Sequence, residues 1–240
     1  MENIKQSKQQ ILDNAYTFFF KMFTDKAEKY RKKKYSSFTI NPFTIQATAF
    51  AISDAVNSDS IAKAVVYPFA LGTSMATSFG TNTQKFIVET VENAVPSVVP
   101  GLDIEYIDSI DGETKYCQIK AGPSTINTGD IETIENHFKG LRNLARVNHL
   151  KITQDDPVVG VLYGTHADLS SVYKTIENDG YTVLAGDDFW FHLTGIQGLY
   201  DELIEQVQLA ANQSGLHSAV KLMINEVKAG IESDKDIFGL

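Results

Sequence analysis

One pair of residues, Asp111-Gly112, stands between two segments of alternating polarity, Asp103–Asp108 and Lys115–Lys120. Asp-Gly suits a two-residue type I′ turn, which needs positive φ at both central positions and matches the right-handed twist of the strands it joins. A β-hairpin is therefore expected here. With Asp111 and Gly112 as the loop, Ile110 is expected opposite Glu113, Ile107 opposite Tyr116, Glu105 opposite Gln118 and Asp103 opposite Lys120. Side chains alternate along a strand, so Asp103, Glu105, Gln118 and Lys120 share one face, and Ile104, Tyr106, Cys117 and Ile119 the other. The apolar set asks for helices to cover it.

The rest of the chain supplies them. Ile11, Ala15, Phe18, Met22 and Ala27 recur at helical spacing and predict a long amphipathic helix from Ile4 to about Lys34, with Phe18-Phe19-Phe20 as a core or interface element. Asn41-Pro42 reads as cap and first-turn proline of a helix over Phe43–Val56. Gly72–Asn82, rich in Thr, Ser and Gly, reads as a loop or helix start before a helix over Gln84–Val95, ended by Pro96 and Pro100. Past the hairpin, Ile131, Ile134, Phe138, Leu141 and Ala145 form one stripe of a helix over Gly129–Val147. Val158–Tyr163 and Tyr181–Ala185 read as strands around a short helix, Leu169–Glu177, which makes a βαβ unit. Ile196–Ile231 reads as mostly helical. An antiparallel hairpin beside a parallel unit predicts an α/β fold with a mixed sheet, flanked by helices and extended by helices at both ends. A single domain over residues 1–240 is expected, with a helical region at 1–70, a core at 78–195 and C-terminal helices at 196–240.

Composition narrows the function. A 240-residue chain that is 43% hydrophobic can bury a sizeable core, which excludes a disordered protein. Its longest apolar runs, such as Ala64–Leu71, fall far short of the roughly 20 residues a membrane helix needs. The polar stretch Met1–Leu12 lacks the pattern of a secretory signal, so a cytoplasmic protein is expected. Cys117, the only cysteine, excludes an internal disulfide and a multi-cysteine zinc site, and a lone strand thiol is expected to be buried. The net charge of −9 excludes a protein that coats nucleic acid over its whole surface, because that binding rests on counterion release, but it leaves room for a local cationic cleft. Lys26–Lys34 holds six basic residues in nine positions and suits either a phosphate backbone or a solvated helix end.

The polar end of the hairpin has a chemical use. Cross-strand Cβ atoms lie roughly 4.5 to 5.5 Å apart, so two carboxylates, an amide and a lysine gather there. Oxygen ligands of this kind hold Mg²⁺, which retains several waters and takes few protein ligands. A neighbouring lysine can orient or deprotonate an attacking water and offset charge in the transition state of phosphodiester hydrolysis. The same residues also read as a solvated strand face with one Asp–Lys pair, a reading that spacing alone favours.

Longer motifs separate these readings. Pro100-Gly101-Leu102-Asp103, followed by Gln118-Ile119-Lys120 with Gln118 and Lys120 15 and 17 residues after Asp103, resembles the PD-(D/E)xK nuclease signature. Ile40-Asn-Pro-Phe43, Ser78-Phe-Gly-Thr-Asn-Thr-Gln-Lys85, Tyr116-Cys-Gln-Ile-Lys-Ala-Gly-Pro123 with Thr125-Ile-Asn127, and Asp188-Phe-Trp-Phe-His-Leu-Thr-Gly195 resemble type II restriction endonucleases, particularly a PmeII-like branch. The resemblance implies a restriction-endonuclease-like fold and a bacterial, Mg²⁺-dependent, sequence-specific double-stranded DNA endonuclease with a companion DNA methyltransferase. It implies catalytic roles for Asp103, Gln118 and Lys120, with Gln118 where the family usually has an acidic residue. Glu105, expected to face Gln118, is the candidate for restoring the missing charge as a metal ligand, and Glu89 or Glu92 of the preceding helix is expected to join the site. Cutting both strands needs two symmetry-related active sites, hence a homodimer. Ser124, Thr125 and Asn127 after the hairpin, and Asn82, Gln84 and Lys85 before it, are candidates for DNA contact. Asn127 and Asp130 read equally as helix caps. Two alternatives stay open: a structure-specific or repair nuclease of the same fold, and a non-catalytic DNA-binding protein.

Overall fold

The computed structural model describes residues 6–149 and 151–240. Five strands among them form one sheet in chain order: β1 (Ala94–Pro96), β2 (Ile104–Ile107), β3 (Thr114–Lys120), β4 (Pro157–Val161) and β5 (Thr182–Ala185). The first three pair antiparallel and the last three parallel, so the sheet is mixed, as a hairpin joined to a βαβ unit requires. The helices are α1 (Lys8–Arg31), α2 (Pro42–Ser53), α3 (Ser58–Tyr67), α4 (Ser74–Thr90), α5 (Thr128–Val147), α6 (Ser171–Asn178), α7 (Asp187–Thr194), α8 (Leu199–Gln213), α9 (Leu216–Ser233) and α10 (Lys235–Phe238).

The chain divides into two compact units. The first comprises the described residues up to Ala15 together with Thr81–Gln206, and contains the whole sheet. On one sheet face Val159, Val161, Val183 and Ala185 pack with Ile134, Phe138 and Leu141 of α5 and Tyr173 and Ile176 of α6. The other face carries Ile104, Tyr106 and Cys117, and there Gly160 leaves the space that Phe189 of α7 and Cys117 occupy. Both faces are covered, as parallel strands require.

The second unit, Tyr16–Gly80 with Val207–Leu240, is helical. Tyr30, Ile45, Ala49, Ile61, Val66, Met223, Val227 and Ile231 form its core. Phe19 is buried against Phe23 and Phe79, so the aromatic run serves the core, with Phe18 and Phe20 half-buried. The basic run is engaged locally: Lys26 donates to Ser74, Lys33 lies over the Phe38 and Phe69 rings, and Lys34 pairs with Glu226.

Several expectations shift. Ile4 and Lys5, the first expected residues of α1, lie outside the described residues. The Asn41-Pro42 cap forms as expected, Asn41 accepting from Phe43 and Thr44. The helix α3, capped by Asn57 and Ser60, has no counterpart in the periodicity reading, and Pro68 closes it with a π turn over Pro68–Thr73. α4 begins at Ser74, ten residues before the expected start at Gln84, because its Thr- and Ser-rich first half is helical. Residues 94–96, expected at the end of that helix, form β1, which pairs with β2 through Ala94 and Tyr106. Three residues are too few for alternation to reveal a strand.

Candidate active site

The hairpin turn is longer than Asp-Gly alone implies. Asp108 donates its N–H to Glu113 O, and Gly112 N–H bonds back to Asp108 O, so Ser109–Gly112 form a four-residue loop. Gly112 has φ of +76°, but Asp111 does not have positive φ, which excludes type I′. The cause is side-chain chemistry. Buried Asp108 accepts from Ile110 N–H at 2.8 Å and from His192 Nδ1 at 2.7 Å, and Asp111 pairs with Lys115 at 2.7 Å. The register is consequently shifted by two: Glu105 faces Tyr116 and Ile107 faces Thr114, in place of Gln118 and Tyr116. An even shift leaves every residue on its expected face.

The pairing of β2 with β3 ends at Ile104 opposite Cys117, and Asp103 stands just beyond it at the hairpin end. Asp103 N–H donates to Cys117 O at 2.9 Å, and its Oδ2 accepts the Ile119 N–H at 2.6 Å, so the carboxylate takes the place of a main-chain acceptor. Its Oδ1 has no hydrogen-bond partner among the described residues. Burial raises the Asp103 carboxyl above its ordinary value, against the lowering pull of the Ile119 N–H, Lys120 and His137. Lys120, two residues along the same face from Gln118, is 18% exposed at its side chain, and its closest carboxylate oxygen, on Asp130, is 4.0 Å away.

Two helices complete the site. From α4, Gln84 Nε2 donates to Asp103 O at 2.6 Å. From α5, His137 Nδ1 lies 3.3 Å from Gln118 Oε1. The His137 ring covers Gly101, whose φ of +87° and lack of Cβ allow that approach. His137 is the residue that motif reading missed. Its signal was a polar side chain at the edge of an apolar seam, between Ile134 and Leu141, but nothing local shows that this edge meets Gly101.

The remaining candidates separate. Glu105 Oε1 accepts from Ser97 Oγ and Val98 N–H at 2.9 and 3.0 Å, which ties it to the β1–β2 turn and not to Gln118. Glu89 is exposed and pairs with Lys85 at 3.6 Å, while Glu92 is exposed just past α4, so Gln84 is the helix residue that meets Asp103. Asn127 caps α5 in a reciprocal box with Asp130. Thr125 Oγ1 bonds Gly122 and lies 3.4 Å from Tyr173 Oη. Ser124 is exposed beside it. Asn82 and Lys85 lie in the interior of α4, not at its start. Trp190 is buried, donating to Leu162 O, and His166 pairs with Glu177. Burial pushes the Cys117 thiol up, as expected of an inert strand cysteine.

No group of three or more His, Cys, Asp or Glu side chains among the described residues is placed to hold a metal. The oxygen set at the hairpin end is Asp103 Oδ1 and Gln118 Oε1, one carboxylate and one amide. That set fits a hard cation that keeps most of its water, since such an ion accepts few protein ligands.

The mixed sheet between helices, with Asp103, Gln118 and Lys120 at one end of its central hairpin, defines a restriction-endonuclease-like α/β protein. The family model for type II restriction endonuclease EcoO109I matches residues 10–215, and the chain belongs to that family. No curated protein matches the chain. No helix among the described residues is long and apolar enough to cross a membrane.

Proposed function

We propose that the chain is a Mg²⁺-dependent endonuclease that cuts both strands of a specific duplex DNA sequence. The observation that carries this reading is that the Asp103 carboxylate, bonded to the Ile119 N–H between Gln118 and Lys120, meets them at the hairpin end, in a chain of a restriction endonuclease family. Asp103 and Gln118 would hold the cation. A bound Mg²⁺ polarises the scissile phosphate and offsets charge in the transition state. Lys120, whose nearest carboxylate oxygen, on Asp130, is 4.0 Å away, orients the attacking water and balances the developing negative charge. Gln84 and the Ile119 N–H keep Asp103 in place, so the ligand needs no rearrangement to meet the ion.

Asn82, Lys85 and Ser124 are assigned to DNA contact. Thr125, Asn127 and Gln84 are assigned first to holding the loop, the start of α5 and Asp103. We further assign the chain to the PmeII-like branch, acting in the bacterial cytoplasm on a palindromic or interrupted palindromic site beside a methyltransferase of the same specificity. Two-strand cutting calls for a homodimer. A surface that suits a second copy is the outer stripe of α2, where Phe43 is 89% and Phe50 56% exposed, with exposed Ala47 and Ala51 at helical spacing.

The test is digestion of unmethylated plasmid and bacterial genomic DNA with and without Mg²⁺. Discrete fragments that require the metal and are lost in Lys120→Ala support the reading. Cutting at branched or damaged sites only, or binding without cutting, overturns it.

A further inference from the structure

Gln118 raises a problem that an acidic residue in its place would not. A carboxylate presents two equivalent oxygens, whereas a carboxamide turned end for end offers an NH₂ group, a donor that a cation repels. An amide ligand therefore has to be held in one orientation. We propose that His137 is the positioning residue that holds it: its ring hydrogen-bonds Gln118 Oε1 and so fixes which end of the carboxamide faces the cation. The proposal rests on the reading of Gln118 as a metal ligand.

The geometry supplies each part. Gln118 is 8% exposed, so water does little to orient it. His137 Nδ1 lies 3.3 Å from Oε1. An oxygen only accepts, so Nδ1 carries the proton, and the second lone pair of Oε1 is left for a cation. The ring is itself immobilised. It lies on Gly101, where a Cβ would collide with three of its atoms, and α5 is anchored on either side by buried Ile134, Phe138 and Leu141. Gly101 belongs to the same turn as Asp103, so one imidazole braces both halves of the site. The other two histidine pairs of this unit, His192 with Asp108 and His166 with Glu177, end on carboxylates, which need no such orientation.

A double-mutant comparison tests this, because the requirement for orientation vanishes when Gln118 is replaced by Glu. His137→Phe keeps a ring over Gly101 and deletes the hydrogen bond. His137→Asn restores an N–H donor and serves as the second variant should the Phe form be poorly folded. Mn²⁺ binding to the whole chain is followed by electron paramagnetic resonance of the free ion. With Gln118 present, His137→Phe is expected to weaken Mn²⁺ binding about tenfold, and His137→Asn to recover part of it. In the Gln118→Glu background the same change is expected to cost less than about twofold. In the metal-free protein, the ¹⁵N-detected side-chain NH₂ pair absent from Gln118→Glu should shift in His137→Phe and return in His137→Asn. Equal losses in both backgrounds, or an NH₂ pair that ignores His137, overturn the positioning role. If neither the native chain nor Gln118→Glu binds Mn²⁺, the metal reading fails and takes the proposal with it.

Discussion

The two ends of the hairpin carry similar side chains and use them in opposite ways. At the turn, Lys115 is buried and contacts Asp111 at 2.7 Å and Asp156 at 3.4 Å, and Asp108 is spanned by Ile110 N–H and His192. Burial alone would pull the Lys115 ammonium down, but the two carboxylates leave it above its ordinary value. At the open end, Lys120 has a carboxylate only at 4.0 Å, and Asp103, held above its ordinary value by burial, keeps one oxygen without a hydrogen bond. Complete pairing makes the first cluster part of the fold. Incomplete pairing in the second is what the proposed ligand site requires, at a cost to stability that a purely structural sheet would not bear.

That contrast predicts distinct failures. Lys120→Ala should lower the cleavage rate about a thousandfold or more while DNA binding and the unfolding midpoint stay near their native values. Lys115→Ala should do the reverse: it leaves buried Asp156 with only the Thr153 N–H and no counter-charge, and should cost about 3 kcal/mol in urea unfolding, with the activity of each folded molecule retained. Equal effects of the two substitutions on both measurements would erase the distinction. Glu105→Ala should cost about 1 kcal/mol through the lost bonds to Ser97 and Val98, with metal dependence unchanged; a collapse of cleavage would instead return Glu105 to the metal site.

The smallest effect on stability should come from Asp103→Asn, and its sign is informative. A carboxyl whose folded value is raised contributes stability below its unfolded pKa and loses it as pH rises through the folded value. The Asn variant should therefore melt higher than the native chain at neutral pH, with the gain fading in acid, although cleavage is lost. Cation binding by the native chain should weaken on acidification at a higher pH than an ordinary carboxylate would allow. A variant less stable at neutral pH would mean that Asp103 is a structural group like Asp108.

Much of this was legible in the residues. The stripe on α5, the βαβ unit and the residues that share each face of the hairpin follow from periods of 3.6 and 2 that short-range sterics impose, and the Asn41-Pro42 cap from the unpaired N–H groups of a first helical turn. Asp103, Gln118 and Lys120 were legible as a motif. Gln84 was legible only as a DNA-contact candidate and His137 not at all, because their places depend on which turns of α4 and α5 lie beside Asp103 and Gly101.

The hairpin marks the boundary between the two kinds of information. Alternation specifies which face a side chain takes, and it is indifferent to a slip of two residues, since such a slip moves no apolar group into water. Only contacts between distant parts of the chain choose among registers with the same faces. Here His192 grips Asp108 from 84 positions away and lengthens the loop. That bond, together with the Ser109 N–H donated to His192 O, accompanies the register that sets Glu105 across from Tyr116 and ties it to the β1–β2 turn, away from Gln118.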